Sequence, residues 1–132
     1  MSSAKENSGS KARGVEDSLR KARVAAMAAL DKKALDLVAL DMTGLVAYTD
    51  YFVICTGTSS PHVGAVVESV EKALASYGVR PKAIEGRRPA HWVLLDYGDL
   101  VMHVFDREAR EYYELEKLWL DAPRIEVNED TA

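Results

Sequence analysis

The chain has 132 residues, 48% of them hydrophobic, which is enough for one domain with its own core. Its formal net charge of -4 disfavours nucleic acid as the main partner, because phosphate contacts need clustered Lys and Arg, and suits a basic protein partner better. The single cysteine excludes an internal disulfide and fits the reducing cytoplasm, and no apolar run reaches the roughly 18 residues that span a bilayer.

The chain begins with a polar segment. Residues 1–14 contain no large apolar side chain after Met1, so we expect a disordered N-terminal tail. From Val15 onward, apolar residues recur every three or four positions, and alanine, a strong helix former, is frequent. This pattern predicts a helix whose buried stripe contains Leu19, Ala22, Arg23, Ala26, Met27 and Leu30.

Two strands and a second helix are predicted next. The strands are Leu35–Asp41 and Asp50–Thr56, and both are short runs rich in apolar residues. Ser59 or Ser60 can cap the helix that follows, and Gly78 is expected to end it. The predicted buried stripe of this helix comprises Val63, Val66, Val67, Val70 and Leu74.

The sequence then predicts three more strands. Val79–Glu85 is expected at a sheet edge, because Pro81 cannot donate a hydrogen bond to a neighbouring strand. Trp92–Leu95 and Leu100–Phe105 flank a Gly/Asp turn, which is typical of a β-hairpin. Both faces of this hairpin are mostly apolar, so we expect it near the centre of a sheet that is covered on both sides.

One or two short helices are predicted after the hairpin, and Pro123 ends them. Residues 123–132 are interpreted as an acidic C-terminal tail, which leaves residues 15–122 as one folded domain. No linker is long enough to separate two domains. We therefore predict an α/β fold with a mixed sheet of about five strands flanked by helices.

No group of residues predicts catalysis. Gly57–Ser60 lies before a helix N-terminus, where backbone N–H groups can hold a phosphate, but it lacks a Walker lysine and G-x-G-x-x-G spacing, so a helix cap is favoured. Asp96 and Asp99 flank a turn and are favoured as turn formers. His103 is interpreted as a hydrogen-bonded core histidine, and the histidines do not have zinc-ligand spacing. We predict no catalytic, cofactor-binding or metal-binding site.

Aromatic residues indicate a binding surface more strongly. Trp92 follows a polar loop, and the final predicted helices bring Tyr112, Tyr113 and Trp119 close together. Such side chains are enriched at the centres of interfaces, where they supply large contact areas. The alternative is that they fill the core. Trp119, at helical spacing from Leu115, is favoured as a core residue, whereas Trp92 and Tyr113 fit either role.

Four motifs are shared, in the same order, with a known family. They are D-Y-F-V-I-C-T-G-T-S-S (Asp50–Ser60), E-G (Glu85-Gly86), W-V-L-L-D-Y-G-D-L-V-M-H-V-F (Trp92–Phe105) and R-E-Y-Y-E-L-E-K-L-W (Arg110–Trp119). Together they strongly resemble the ribosomal silencing factor family, also called Iojap-related proteins. The resemblance covers residues 15 to 122 without large gaps.

The resemblance implies an α/β fold similar to nucleotidyltransferases but without their catalytic acids. It implies binding to the large ribosomal subunit through its protein fourteen, on the face that meets the small subunit. The bound factor would block subunit joining and repress translation when nutrients are scarce. A tendency to homodimerise is also implied. We therefore expect a cytoplasmic protein that is not an enzyme, has no cofactor or membrane partner, and touches RNA only incidentally.

The resemblance also implies which residues meet the partner. The family's partner-contacting tryptophan falls on Trp92, and a tyrosine of the family falls on Tyr113. Leu94 joins them because alternation along a strand places it on the face of Trp92. Arg110 and Glu114 flank Tyr113 and are expected to form exposed ion pairs at the rim, worth about 0–1 kcal/mol each.

Two other functions stay open at this point. One is a nucleotidyltransferase-like enzyme that uses the Gly57–Ser60 turn, and the other is a module that binds a protein outside the ribosome. Direct RNA binding is disfavoured by the net charge of -4, although Lys5, Lys11 and Arg13 could touch ribosomal RNA weakly.

Overall fold

The computed structural model describes the backbone of residues 3–127 and the side chains of residues 17–127. Its helices are α1 (Ser3–Asp31), α2 (Ser60–Ala75) and α3 (Arg107–Tyr113), and a short 3-10 helix covers Leu115–Trp119. Its strands are β1 (Leu35–Asp41), β2 (Tyr51–Gly57), β3 (Ala83–Glu85), β4 (Trp92–Asp96), β5 (Leu100–Asp106) and β6 (Arg124–Ile125).

The strands form one six-stranded sheet in the order β3-β4-β5-β2-β1-β6. β2 and β5 run parallel at its centre, and the other neighbouring pairs are antiparallel. In the β4–β5 hairpin, Trp92 lies opposite Phe105 and Leu94 lies opposite His103. The predicted α/β class, mixed sheet, hairpin and edge position of β3 are confirmed, and β6 adds a strand to the predicted number.

Strand alternation gives the sheet two different faces. On the helix-covered face, α1 and α2 pack over a continuous core that includes Val53, Met102 and Val104. On the opposite face, Ala109 of α3 and the half-buried residues of the 3-10 helix cover a smaller cluster. We call this second side the aromatic face. Its strand residues are Val38, Leu40, Phe52, Ile54, Trp92, Leu94, Val101, His103 and Phe105.

The two long helices meet the sheet in different ways. The buried residues of α2 are the five predicted ones, and the Ser59 side chain caps the helix by accepting from His62 N–H at 3.2 Å. In α1, by contrast, the predicted stripe is only partly correct, because Leu30 is 39% exposed while Arg23 and Met27 are half-buried. Small side chains bring this helix close to the sheet, and its buried residues include Ala22, Ala25, Ala26 and Ala29.

The structure differs from the sequence prediction at both ends. α1 begins at Ser3, so the backbone of residues 3–14, expected in a disordered tail, is helical; this segment contains Ala, Lys, Glu and Arg, which favour helix. At the other end, β6 lies inside the predicted tail of residues 123–132 and pairs with Ala39 and Leu40 of β1. Its Ile125 is apolar and packs against the core. Residues 1, 2 and 128–132 lie outside the described part.

Candidate partner-binding site

Trp92 is the centre of a cluster of rings on the aromatic face. Its indole stacks on Phe105, the residue opposite it in the hairpin, with ring centroids 4.9 Å apart. Tyr113, the last residue of α3, brings its ring centroid to 4.6 Å from that of Trp92. His103 is a diagonal neighbour on β5, and its Nδ1 accepts a hydrogen bond from Trp92 Nε1–H at 3.2 Å. We call these four residues the ring cluster.

The ring cluster extends from the core to the surface. Phe105 is fully buried and His103 is 4% exposed, whereas Trp92 is half-buried and Tyr113 is 49% exposed. Leu94, the other predicted apolar contact, is also half-buried and on the same face. The outer rings are therefore accessible, yet their positions are set by buried neighbours, and such preorganisation lowers the entropic cost of binding.

Other large apolar side chains are exposed near the end of the chain. Tyr112 extends the ring cluster, since its ring centroid lies 5.0 Å from that of Tyr113. Trp119, predicted as a core residue, is half-buried and packs its ring edge-on against Phe52 with centroids 6.2 Å apart. The most exposed apolar residues of α3 and the segment after it are Tyr112 (81%), Leu118 (71%) and Leu120 (78%).

Arg110 has a different environment from the predicted one. Its side chain is 12% exposed, and its Nε–H donates to Glu116 Oε1 at 3.0 Å. The other two guanidinium nitrogens donate to Thr56 Oγ1 and to the carbonyl oxygen of Asp36, both at 2.8 Å. The expectation of an exposed ion pair at the rim is therefore wrong for Arg110. Its planar fork instead joins α3 and the 3-10 helix to the ends of β1 and β2.

Glu114 is exposed at the end of α3, as the prediction requires for a rim residue. Its backbone adopts the left-handed conformation, with φ 45° and ψ 47°, which ends the helix directly after Tyr113. Its carboxylate pairs with Lys117 Nζ at 2.9 Å, and both side chains are more than half exposed. An exposed pair of this kind is weak, so Glu114 can exchange Lys117 for a cation of a partner.

Asp106 fixes the start of α3 against the hairpin. Its carboxylate accepts from Ala109 N–H at 2.8 Å and pairs with His91 Nδ1 at 2.5 Å. Burial opposes ionisation of Asp106, but these hydrogen bonds outweigh it and lower the pKa of the carboxyl group. Since Asp106 follows Phe105 directly, this cap helps to hold Tyr113 within the ring cluster.

The residues weighed for catalysis have structural roles. The Thr58 N–H donates to His62 Nδ1 at 2.8 Å, so the Gly57–Ser60 turn uses this donor within the helix cap. Asp96 accepts from Gly98 N–H at 2.8 Å, as a turn former does. The Asp99 carboxylate accepts a hydrogen bond from Ser18 Oγ–H of α1 at 2.9 Å. Among the side chains described, no three His, Cys, Asp or Glu residues form a group that could hold a metal ion.

Sequence reasoning missed the contacts that two residues make at this site. His103 was recognised as a hydrogen-bonded core residue, but its bond to Trp92 follows from the hairpin register, which places the two on one face at diagonal positions. The role of Arg110 depends on Thr56 and Asp36, which lie 54 and 74 positions away in the chain. The bond between Trp92 and His103 could be inferred once the hairpin register was assumed. No local sequence pattern predicts the contacts of Arg110.

A family model and several known proteins match this chain, and their names refer to ribosomes. A sequence model for the family described as "Ribosomal silencing factor during starvation" matches residues 15–132. The ribosomal silencing factor of Bacillus subtilis is 44% identical over 106 residues, which are 80% of this chain and 90% of that protein. The mouse protein named mitochondrial assembly of ribosomal large subunit protein 1 is 38% identical over 91 residues, which are 67% of this chain and 40% of that longer protein.

A solved crystal structure has the same fold as this chain. The crystal structure of a Chromobacterium violaceum protein superposes with a TM-score of 0.75 at 35% identity, covering 76% of this chain and 84% of that one. Within residues 3–127, no helix combines the length and the apolar character that crossing a membrane requires.

Proposed function

Because this chain belongs to the ribosomal silencing factor family, we propose that it binds the large ribosomal subunit through protein fourteen and prevents the small subunit from joining. The observation that carries this proposal is the state of Trp92. Its indole is partly exposed, yet three neighbouring side chains, those of His103, Phe105 and Tyr113, hold it in place. Anchor residues of protein interfaces combine partial exposure with a fixed position, because little side-chain freedom is then lost when a partner buries them.

The proposed contact has an apolar centre and a polar rim. Trp92, Leu94 and Tyr113 supply the centre, since they share one face and are each partly exposed. Glu114 lies beside Tyr113 and fits the rim. Arg110, whose guanidinium is engaged internally, supports the contact by holding α3 in position.

Silencing by this route requires no chemical reaction. A small domain bound on the joining surface occupies volume that the small subunit must enter. The net charge of -4 complements a basic ribosomal protein and favours a fast encounter. The name of the mouse relative refers to assembly of the large subunit, which supports the large subunit as the partner. We propose that this action takes place in the cytoplasm, because the Bacillus subtilis relative is a bacterial silencing factor and bacterial ribosomes are cytoplasmic.

A homodimer is the second interaction that we propose. Tyr112, Leu118 and Leu120 are each more than 70% exposed, and none of them belongs to the ring cluster. Large exposed apolar areas are uncommon on monomers and favour association. An enzymatic function is not favoured, because the Gly57–Ser60 turn is occupied by its own helix cap and the Bacillus subtilis relative is named as a silencing factor.

Binding to purified subunits tests the proposal. The native protein is expected to cosediment with large subunits and to bind isolated protein fourteen, and not to bind small subunits. Trp92→Ala should weaken binding by more than about 1 kcal/mol, or roughly fivefold, the usual threshold for an interface anchor. Calorimetry with protein fourteen and cosedimentation with large subunits measure this change.

A matched control removes another exposed ring. Tyr77 is 66% exposed and follows α2, on the helix-covered side of the sheet. Tyr77→Ala is expected to bind large subunits as the native protein does. A folded Trp92→Ala variant with native affinity would rule out the proposed docking role.

A further inference from the structure

His103 is a buried histidine whose presence is not explained by packing. It is 4% exposed and lies among rings, with centroid distances of 4.8 Å to Phe52, 6.0 Å to Trp92 and 6.3 Å to Phe105. Its Nε2 has no hydrogen-bond partner within the described residues. A buried polar atom without a partner destabilises the folded state, and an apolar side chain of similar size would avoid this cost. A histidine here therefore carries a stability cost that calls for a functional reason.

The protonation state of His103 follows from its neighbour. An indole N–H can only donate a hydrogen bond, so Nδ1 of His103 must accept the bond from Trp92 and carry no proton. Burial lowers the pKa of His103 to about 4, so the ring is neutral at physiological pH. The proton of the neutral ring is then on Nε2. His103 thus presents an acceptor to Trp92.

The hydrogen bond determines a feature of Trp92 that stacking leaves open. Stacking on Phe105 fixes the plane of the indole, but this contact alone does not distinguish the present orientation from one turned over in that plane. Only one of these orientations directs Nε1–H at His103 Nδ1. The bond therefore selects which edge of the indole points to the core and which edge points to solvent.

We propose that His103 is a positioning residue of the docking site and holds the indole of Trp92, through the bond between Nε1–H and Nδ1, in the one orientation that the partner meets. This inference rests on the proposed docking role of Trp92. His103 itself does not touch the partner, since it is buried beneath the indole. Its contribution is to spare binding the cost of ordering the anchor.

Two substitutions of His103 separate positioning from packing. His103→Leu fills the apolar site but removes the acceptor. His103→Asn places an oxygen acceptor one bond from Cγ, where Nδ1 is attached in histidine, and can restore the bond. Met102→Leu is the control, because it changes the adjacent β5 residue on the helix-covered face with little change in volume.

The measurements are the indole N–H signal of Trp92 in a proton–nitrogen NMR spectrum and the affinity for purified large ribosomal subunits. The signal is assigned by its loss in Trp92→Phe. In His103→Leu we expect the signal to move upfield, its exchange with deuterium to accelerate roughly tenfold, and affinity to fall roughly three- to tenfold, the range for one hydrogen bond. His103→Asn should recover most of both losses, and Met102→Leu should match the native protein.

The outcomes distinguish this inference from the proposed function. If Trp92→Ala weakens binding while a folded His103→Leu keeps native affinity, the positioning role is wrong and the docking role stands. If His103→Leu and His103→Asn lose affinity equally while the indole signal stays native, His103 acts only through packing, which also overturns the inference. If Trp92→Ala itself binds normally, the docking role fails and the inference fails with it.

Discussion

His103 links one buried side chain to the pH dependence of stability. Burial lowers its pKa from 6.5 to about 4, because a charged imidazolium would lose its hydration inside the sheet. As the pH falls, the unfolded chain therefore binds this proton before the folded chain does. The free energy of unfolding should decline between pH 6.5 and about 4 and, for this group, level off below that range. The full shift corresponds to about 3 kcal/mol.

Urea unfolding across this pH range measures the effect. The native protein should lose stability between pH 6.5 and 4, and His103→Leu should lose about 3 kcal/mol less over the same interval. Carboxylates with a lowered pKa, such as that of Asp106, lose their stabilising effect mainly at lower pH and affect both proteins alike. Equal pH profiles for the two proteins would show that the imidazole is not held neutral by burial.

Single residues were predictable to the extent that their contacts are close in sequence. The Ser59 cap and the turn role of Asp96 involve partners within three residues and were inferred correctly. Trp92 fitted either a core or a surface role, and it has both, because one side of its ring packs while part stays exposed. The prediction that Arg110 forms an exposed ion pair at the rim was wrong, because its buried contacts come from strands that are distant in the chain.

The last helical elements depend on Arg110 for their attachment to the sheet. Arg110→Ala would leave the Glu116 carboxylate and the Thr56 hydroxyl without this donor. We expect the free energy of unfolding to fall by about 2 kcal/mol, the range for hydrogen bonds to charged groups. Urea unfolding measures this loss, and large-subunit binding should weaken as well, because α3 carries Tyr113.

The exposed pair of Lys117 and Glu114 provides the control. Lys117→Ala removes an ion pair of the same segment whose side chains are 67% and 51% exposed. Its free energy of unfolding should stay within about 0.5 kcal/mol of the native value. Arg110→Ala and Lys117→Ala with equal stabilities would contradict the structural role of Arg110.

Gly86 lets the chain pass close to Trp92 between β3 and β4. Its φ is 84°, and a Cβ at this position would overlap the carbonyl oxygen of Trp92. Gly86→Ala should therefore cost at least about 2 kcal/mol of unfolding free energy and disturb the ring cluster. Thermal or urea unfolding measures the loss. Gly64→Ala is the control, because a Cβ there meets nothing within 4 Å and alanine favours helix, so it should be neutral or stabilising.

Whole elements followed from periodicity where the side chains are large. The valines of α2 identified its buried face residue by residue. The stripe of α1 was harder to recognise, because alanine is compatible with buried and exposed positions, and five alanines rather than Met27 and Leu30 are buried in the core. β6 is two residues long, too short for an alternating pattern to predict it.

The whole molecule is organised by the difference between the two faces of its sheet. α1 and α2 bury one face, whereas α3 and the 3-10 helix leave Trp92 and Leu94 partly exposed on the other. The sequence predicted the class and the mixed sheet, but both hairpin faces are apolar, so it could not indicate which one remains accessible. That distinction depends on how much surface the short terminal helices cover, which is set by long-range packing.

Sedimentation of reassociating ribosomal subunits measures whether the bound protein keeps the two subunits apart. Large subunits are incubated with the protein, small subunits are then added under conditions that permit joining, and the joined particle is quantified on a gradient. The native protein is predicted to migrate with the large subunit and to reduce the joined peak, whereas Trp92→Ala should leave that peak intact. If the native protein migrates with large subunits while the joined peak keeps its full size, binding does not prevent joining and the proposed function is wrong.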